Sequence, residues 1–267
     1  MRFGVELATW NLHAAFKGKS LLEVLCASPV ASVSVSGLLG GSAEEVLSGG
    51  GRMRAAGYEV VKLKVGSREV EEDVKLVRDL VEVLGKDVTL RLDTNRAWSY
   101  EEAADFVQAL DSLGYEYIEE PLSDPSGLAG FVREHGSPVA LDESLVGLAS
   151  ADLEKLSYAR AMVIKPTMVG GISRTLQLAE EGRRLRIQPV ISSAYETGVG
   201  TEALLVLSAV TGDGKVAAGL DTYRRLGGDV LYPPLDMTIP KIDARKVSGI
   251  HRSLNRRYLR VVASSES

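Results

Sequence analysis

Short β-branched runs alternate with amphipathic stretches along most of this chain, and that alternation constrains the fold more than any other feature. The runs ASVSVSGLL from Ala31, VVKLKVG from Val60, VTLRLDTN from Val88 and YIEEPL from Tyr117 open the series. VALDES from Val139, AMVIKPT from Ala161, PVISSAYE from Pro189 and AAGLDTY from Ala217 complete it. Runs that read as buried on both faces suit parallel strands covered by helices. Between them, SREVEEDVKLVRDLVEVLG sets Val70, Val74, Val77, Leu80, Val81 and Leu84 on one stripe, as a packed helix requires. SYEEAADFVQALDSLG opens on Ser99 with Glu102 three residues later, the pattern of a capping box, and Gly114 fits a C-cap. Eight strands with seven or eight helices predict an α/β fold, a closed (β/α)8 TIM-type barrel, whose usual size is about 250 residues. A doubly wound sheet would carry a glycine-rich phosphate turn after an early strand, and this sequence has none.

The two ends fit the repeat less well. Met1 to Leu25 reads as a helix with Val5, Leu7, Ala8, Leu12 and Ala15 apolar and no strand before it. After Leu226 the stretch LYPPLDMTIPKIDARK, with Pro233, Pro234 and Pro240, suits neither helix nor strand. Both ends are expected to pack on something else. From Lys241 onward seven basic residues stand against two acidic ones, so a tail of +5 follows a body of −10 in a chain of net charge −5. No aromatic interleaving or reading motif accompanies that tail, so no nucleic-acid partner is expected. The apolar stretch Leu204 to Val210 is far shorter than a membrane span, and Glu6 interrupts any signal-peptide pattern. Cys26 is the single cysteine, which excludes an intrachain disulfide and a multi-cysteine metal site. The chain reads as cytoplasmic.

Polar residues gather where the strands end. Lys62 and Lys64 lie in the second run, Asp93 and Asn95 end the third, and Glu119 and Glu120 end the fourth. Asp142 and Glu143 end the fifth, and Lys165 ends the sixth. The steps Asp93 to Glu119, Glu119 to Asp142 and Asp142 to Lys165 are 26, 23 and 23 residues, one βα unit each. These side chains should therefore converge on the C-terminal mouth, where barrels of this type hold their active sites. Three converging carboxylates repel one another, and a hard divalent cation with oxygen ligands removes the conflict. Mg²⁺ is the expected ion, with Mn²⁺ as the alternative. Lys64 and Lys165 flank the acids on either side, and a lysine near a cation and a second lysine should have a depressed pKa that suits a general base. The set reads as metal-assisted proton abstraction beside a carboxylate, with the metal stabilising an enediolate. Glu120 and Glu143 are expected to partner lysines, while His13, His135 and His251 show no mutual spacing and read as structural or solvated.

Lys62-Leu63-Lys64, RLDTNRAW from Arg91, YIEEPL, LDES and VIKPT, in that order, resemble the enolase superfamily in its muconate-lactonizing subgroup. Enolase-superfamily sites use a lysine or histidine base with Mg²⁺. RLDTNRAWS, VIKPT and PVISSAYETGVG followed by GLDT are most similar to the o-succinylbenzoate synthase family within that subgroup. The resemblance covers about Gly4 to Tyr223. It implies Asp93, Glu119 and Asp142 as Mg²⁺ ligands, Lys64 as the base that also helps the hydroxyl leave, and Lys165 as the opposite, enediolate-stabilising lysine. Lys62, Arg91 and Asn95 would support these groups or orient the substrate. Ser192 and Ser193 would hold a succinyl carboxylate through hydroxyls or backbone N–H groups. The implied reaction is dehydration of 2-succinyl-6-hydroxy-2,4-cyclohexadiene-1-carboxylate to o-succinylbenzoate, a step of menaquinone biosynthesis acting on a small carboxylate.

The family places an α+β capping domain before the barrel, so residues 1–28 are expected to be a remnant of its last helix. Residues 29–226 would be the catalytic barrel, and 227–267 a C-terminal segment with a basic tail. A chain lacking most of the cap could instead be a weakly active or non-catalytic metal-binding barrel, since an open mouth admits water. Thr94, where alanine is common in the family, is expected to be tolerated. Dipeptide epimerases and N-succinylamino-acid racemases use the same two lysines and remain the rival activities. Epimerases carry an Asp-x-Asp at the eighth strand for an ammonium group, where this chain has only Asp221. Mandelate-racemase-type chemistry needs a histidine where Ser192 and Ser193 stand.

Overall fold

The computed structural model describes residues 2–110, 113–249 and 253–260. Strands β1 (Ser32–Ser34) and β2 (Gly37–Leu39) share one extended run. They are followed by β3 (Val60–Lys64), β4 (Thr89–Asp93), β5 (Ile118–Glu119), β6 (Val139–Leu141), β7 (Ala161–Ile164) and β8 (Gln188–Ile191). β2 to β8 form one parallel sheet in which every strand pairs with the next in sequence. The circle closes through Ala217–Gly219. Gly219 N–H donates to Ile191 O at 2.9 Å, and Ala218 N–H donates to Ser34 O at 2.8 Å. Ser192 pairs with Gly219 and Val35 with Ala218, both parallel. The expected barrel is therefore present, with its eighth strand reduced to two bridges.

Helices α1 (Arg2–Phe16) and α2 (Leu21–Leu25) precede the barrel. α3 (Ala43–Ala55), α4 (Val70–Leu84), α5 (Tyr100–Ala109) and α6 (Leu128–His135) follow the first strands. α7 (Pro166–Val169), α8 (Ile172–Arg184) and α9 (Gly198–Thr211) follow β7 and β8. Capping boxes start α3 at Ser42 with Glu45 and α5 at Ser99 with Glu102, each satisfying backbone N–H groups that the first turn leaves free. α5 stops at Ala109, so Gly114 does not cap it. Between β6 and β7 a 3-10 run, Ser150–Leu156, stands where a full helix was expected.

Two apolar layers result from strand alternation. Outward residues such as Val61, Leu63, Leu92, Ile118 and Met162 pack with Val77, Leu80, Phe106, Phe131 and Leu178 of the helices in the main core. Each such aromatic contributes strongly, and Phe106→Ala would cost about 3–5 kcal/mol. Tyr117, Ala140, Ala161, Val163 and Val190 form a second, smaller cluster inside the barrel.

The ends behave differently from the sequence reading. α1 buries Phe3, Leu7 and Ala14, while Val5 and Leu12 of the expected stripe are exposed. The C-terminal segment is not structureless: β9 (Lys241–Asp243) pairs antiparallel with β1 and leads into α10 (Ala244–Val247). Leu231, Leu235, Met237, Ile242 and Ala244 are buried. No helix among the described residues is long and apolar enough to cross a membrane.

Candidate active site

Strand register decides which side chains meet. β3 sets Lys62 opposite Arg91 and Lys64 opposite Asp93 on β4, and β4 sets Asp93 opposite Glu119 on β5. Because side chains alternate faces, these residues all point inward, and the same parity carries Asp142 beyond β6 and Lys165 beyond β7 inward. The interior is stacked in three layers. At the bottom Arg91 Nε donates to Glu116 Oε2 at 2.6 Å, and one Nη donates to Ala217 O at 2.7 Å. Gln188 Nε2 donates to the other Glu116 oxygen at 2.9 Å. The small apolar cluster lies above, and the ionic residues form the top.

In the top layer Lys62 Nζ lies 2.8 Å from Asp93 Oδ2 and 3.2 Å from Glu119 Oε2. Lys64 Nζ lies 2.7 Å from the same Asp93 oxygen and donates to Asn95 Oδ1. Lys165 Nζ donates to Asp142 Oδ2, and Asp142 is also hydrogen-bonded to Glu119. β3 and β7 are the second and sixth strands of an eight-membered circle, so Lys64 and Lys165 stand on opposite walls. Both line a cavity of about 120 Å³ with Ser36, Leu38, Lys62, Ser192, Ser193, Tyr195, Gly219, Asp221 and Thr222. The five principal residues expected at the mouth are thus brought together.

Burial and charge set their protonation. Burial favours a neutral Asp93, but the Lys62 and Lys64 ammonium groups hold it down to about 2. Burial, reinforced by the Asp93 and Asp142 charges, pushes the Glu119 carboxyl up to about 8 despite Lys62. Burial also raises Asp142, against the pull of Lys165. A depressed lysine pKa was expected beside a cation and a second lysine; facing protein groups alone, Lys165 is raised. Burial alone would lower it, but contact with Asp142 and the field of Glu119 raise it. Lys62 is raised in the same way by Glu119 and Asp93. The reason is geometric, since each ammonium group faces a carboxylate before it faces another ammonium.

Among the described residues no three His, Cys, Asp or Glu side chains are gathered closely enough to hold a metal ion. Lysines intervene, with Lys62 between Asp93 and Glu119 and Lys165 on Asp142. The donor chemistry still fits a hard divalent ion. Asp93, Glu119 and Asp142 offer only oxygen and are nearly inaccessible, and burial, reinforced by its like-charged neighbours, favours the neutral form of Glu119. A cation relieves that repulsion.

Several expected roles change. Arg91 does not line the cavity; it is 2% exposed and ties the bottom layer together, with its guanidinium 5.1 Å from the Tyr117 ring centre. The backbone N–H groups of Ser192 and Ser193 are committed to Ile164 O and Gly219 O. Ser192 Oγ donates to Gly219 O at 3.2 Å and Ser193 Oγ to Glu196 at 2.6 Å, so only the hydroxyls can turn to a ligand. Glu120 and Glu143 do not partner lysines. Glu120 takes Arg96 and the turn at Ser144, and Glu143 accepts from Asn95 Nδ2 at 3.2 Å. Thr94 Oγ1 donates to Glu120 O at 2.5 Å, a bond alanine would lack. His13 stacks edge-on near Trp10 and His135 packs on Phe131, both away from the mouth, and His251 lies outside the described residues. Arg96 and Ser144 were missed although both lie within the RLDTNRAW and LDES stretches.

Residues 48–255 match the enolase C-terminal domain-like family. The chain is 33% identical over 265 residues to the chloroplastic protein PHYLLO of Arabidopsis thaliana, covering 88% of this chain and 15% of that protein. It is 34% identical over 200 residues to the o-succinylbenzoate synthase of Yersinia pseudotuberculosis, covering 73% of this chain and 61% of that enzyme. It therefore spans less than two thirds of the length of either relative. Among solved structures it superposes on a dipeptide epimerase from Enterococcus faecalis with a TM-score of 0.81 and 24% identity, over 91% of this chain and 71% of that one. That likeness bears on the fold.

Proposed function

The chain belongs to the enolase C-terminal domain-like family, and from that premise we propose that it is a lyase of the o-succinylbenzoate synthase type. It would remove the proton α to the carboxylate of 2-succinyl-6-hydroxy-2,4-cyclohexadiene-1-carboxylate and expel the hydroxyl as water. The observation that carries this reading is the unequal pair of lysines on opposite walls of one cavity. Lys165 is held as a cation by Asp142 and Glu119, while Lys64 is the more open, with 39% of its side chain exposed against 19% for Lys165.

The roles follow from that difference. Lys64, as the free amine, takes the α-proton on Nζ, and the C–H electron pair passes into the carboxylate as an enediolate. Lys165 keeps its charge and offsets the negative charge developing beside it. When the enediolate collapses, the ring C–O bond breaks, and the proton on Lys64 Nζ leaves with the hydroxyl as water. Asp93, Glu119 and Asp142 are the residues that would hold Mg²⁺, or Mn²⁺ in its place, which supplies positive charge next to the enediolate oxygens. Lys62 sits between Asp93 and Glu119 and spaces them.

Epimerisation of dipeptides or racemisation of N-succinylamino acids would use the same two lysines. Asp221 weighs against an ammonium-bearing substrate. Its Oδ2 accepts Leu38 N–H at 3.0 Å and its Oδ1 lies 3.4 Å from Arg224, so the carboxylate is already engaged. Comparing kcat/KM for the cyclohexadiene with α-proton exchange of dipeptides and N-succinylamino acids in D₂O, all with Mg²⁺, tests the choice. Dehydration faster than exchange supports the synthase reading, and the opposite order replaces it with the epimerase or racemase one.

A further inference from the structure

Proton abstraction by Lys64 makes no use of Glu120, yet Glu120 is the most completely engaged acid near the mouth. It is 0% exposed. Its Oε1 accepts Asp142 N–H at 2.9 Å and Ser144 N–H at 2.7 Å. Its Oε2 accepts Ser144 Oγ at 2.9 Å and Arg96 Nε at 3.0 Å. A carboxylate has about four acceptor positions, and here all are filled, so none is left for a substrate or an ion. The clamp also closes on itself. Arg96 donates from a terminal nitrogen to Ser144 Oγ at 2.9 Å, and Arg96 N–H donates to Glu120 O at 2.8 Å.

Backbone geometry shows what the clamp holds. Asn95, Arg96 and Glu120 have φ of +48°, +61° and +43°, a left-handed region that side chains other than glycine rarely occupy. Such conformations persist only where the surroundings over-determine them. Here three turns, after β4, β5 and β6, are joined through one buried carboxylate. The first turn carries Asn95, which accepts from Lys64. The third carries Asp142, which accepts from Lys165.

We propose that Glu120 is a positioning residue that sets Asp142 and Asn95, and through them Lys165 and Lys64, in catalytic register. The inference rests on the reading of Asp142 as a metal ligand and Lys64 as the base. Glu120 itself touches neither substrate nor metal. Released from Glu120, the Asp142–Ser144 turn loses the N–H bonds that aim the Asp142 carboxylate, and the Asn95–Arg96 turn relaxes away from Lys64.

The test compares Glu120→Ala, Glu120→Gln and Ser144→Ala with the parent chain. In the metal-free proteins, hydrogen exchange is followed over the turns at residues 94–97 and 141–146. Mg²⁺ affinity is then measured by calorimetry, and kcat and KM on the cyclohexadiene substrate. Glu120→Ala should raise exchange at least about tenfold in both turns and leave the α4 and α8 amides unchanged. It should weaken Mg²⁺ binding by about 10- to 100-fold, the usual effect of removing a group that orients a ligand. It should lower kcat more than it raises KM. Glu120→Gln, which keeps one acceptor oxygen, should recover part of each loss, and Ser144→Ala should show a smaller version of all three. A folded Glu120→Ala with parental exchange in both turns and Mg²⁺ affinity within twofold overturns the proposal. If Glu120→Ala does not fold, the same readouts on Glu120→Gln and Ser144→Ala decide it, with parental values in both again overturning it. If the parent shows no Mg²⁺ affinity, the metal reading of Asp142 falls, while the exchange result still decides whether Glu120 positions the two turns.

Discussion

Lys64 and Asp93 are register partners on neighbouring strands, and the Lys64 ammonium lies 2.7 Å from Asp93 Oδ2. The group proposed as base thus shares an oxygen with a group proposed to hold the metal. An ion taken up by Asp93 competes with Lys64 for that oxygen, so metal binding and release of the base are linked events.

The two lysines should respond differently to substitution. Lys64→Ala removes the group proposed to take the α-proton, and kcat should fall by about 10³-fold or more. Lys165→Arg keeps the cation and should retain more activity than Lys165→Ala, whereas Lys64→Arg should be as inactive as Lys64→Ala. Steady-state kinetics on the four variants, with melting curves to confirm folding, checks the pattern. Equal losses at both positions would contradict the division of roles.

The metal-free protein should lose stability as pH rises through the neutral range. The folded Glu119 carboxyl is raised to about 8 from an ordinary value of 4.5, so the folded state holds a proton that the unfolded state has released. Between those values the folded chain binds more protons, and stability falls with pH by at most about 1.4 kcal/mol per unit, levelling off above 8. Asp93 acts in the other direction: it is lowered to about 2, so its contribution is complete above the ordinary 3.8 and is lost as pH falls toward 2. Urea unfolding from pH 5 to 8 in EDTA should show the fall in the parent and a flatter line in Glu119→Gln. Mg²⁺ binding near pH 7 should release protons, seen as a buffer-dependent heat.

α3 carries three consecutive glycines, Gly49, Gly50 and Gly51, in a helix where each weakens the backbone. They are not equivalent. A Cβ on Gly50 would sit 2.6 Å from Leu80 Cδ1, in the core between α3 and α4, whereas on Gly51 its nearest neighbour is Val83 Cγ1 at 3.9 Å. Gly51→Ala should therefore stabilise the chain by about 0.5–1 kcal/mol. Gly50→Ala should destabilise it by about 1–3 kcal/mol through overpacking. Denaturant midpoints of the two variants measure the difference in sign.

Arg91 separates a structural from a substrate-orienting role. Arg91→Met leaves Glu116 without its guanidinium inside the barrel and should cost about 3–5 kcal/mol of stability. KM of the folded variant should stay near the parent value. Unchanged stability with a raised KM would return Arg91 to the substrate.

Much of this was legible from spacing alone. The Lys62-x-Lys64 and Arg91-x-Asp93 pairs lie on one face because strands have a period of two, and the βα step brings Glu119, Asp142 and Lys165 to the same mouth. Parity also places Glu119 inward, but it says nothing of Glu120, whose left-handed backbone ends the strand and turns its side chain beneath the next turn. The raised values of Lys62 and Lys165 were not legible, because sequence order shows which charges are near, not which are nearest. Lys165 meets Asp142 directly, and that contact outweighs the other lysines. The layer in which Arg91 sits depends on the neighbouring Glu116 and Gln188, which no run of the sequence marks as polar partners inside a barrel.

The most direct test is turnover. The purified chain is mixed with Mg²⁺ and 2-succinyl-6-hydroxy-2,4-cyclohexadiene-1-carboxylate, and product absorbance is followed beside EDTA-treated protein and Lys64→Ala. Lys64 acting as base in a metal-dependent site predicts product formation in the first sample and loss of it in the other two. Product formed at the same rate by Lys64→Ala, or undiminished in EDTA, would contradict it.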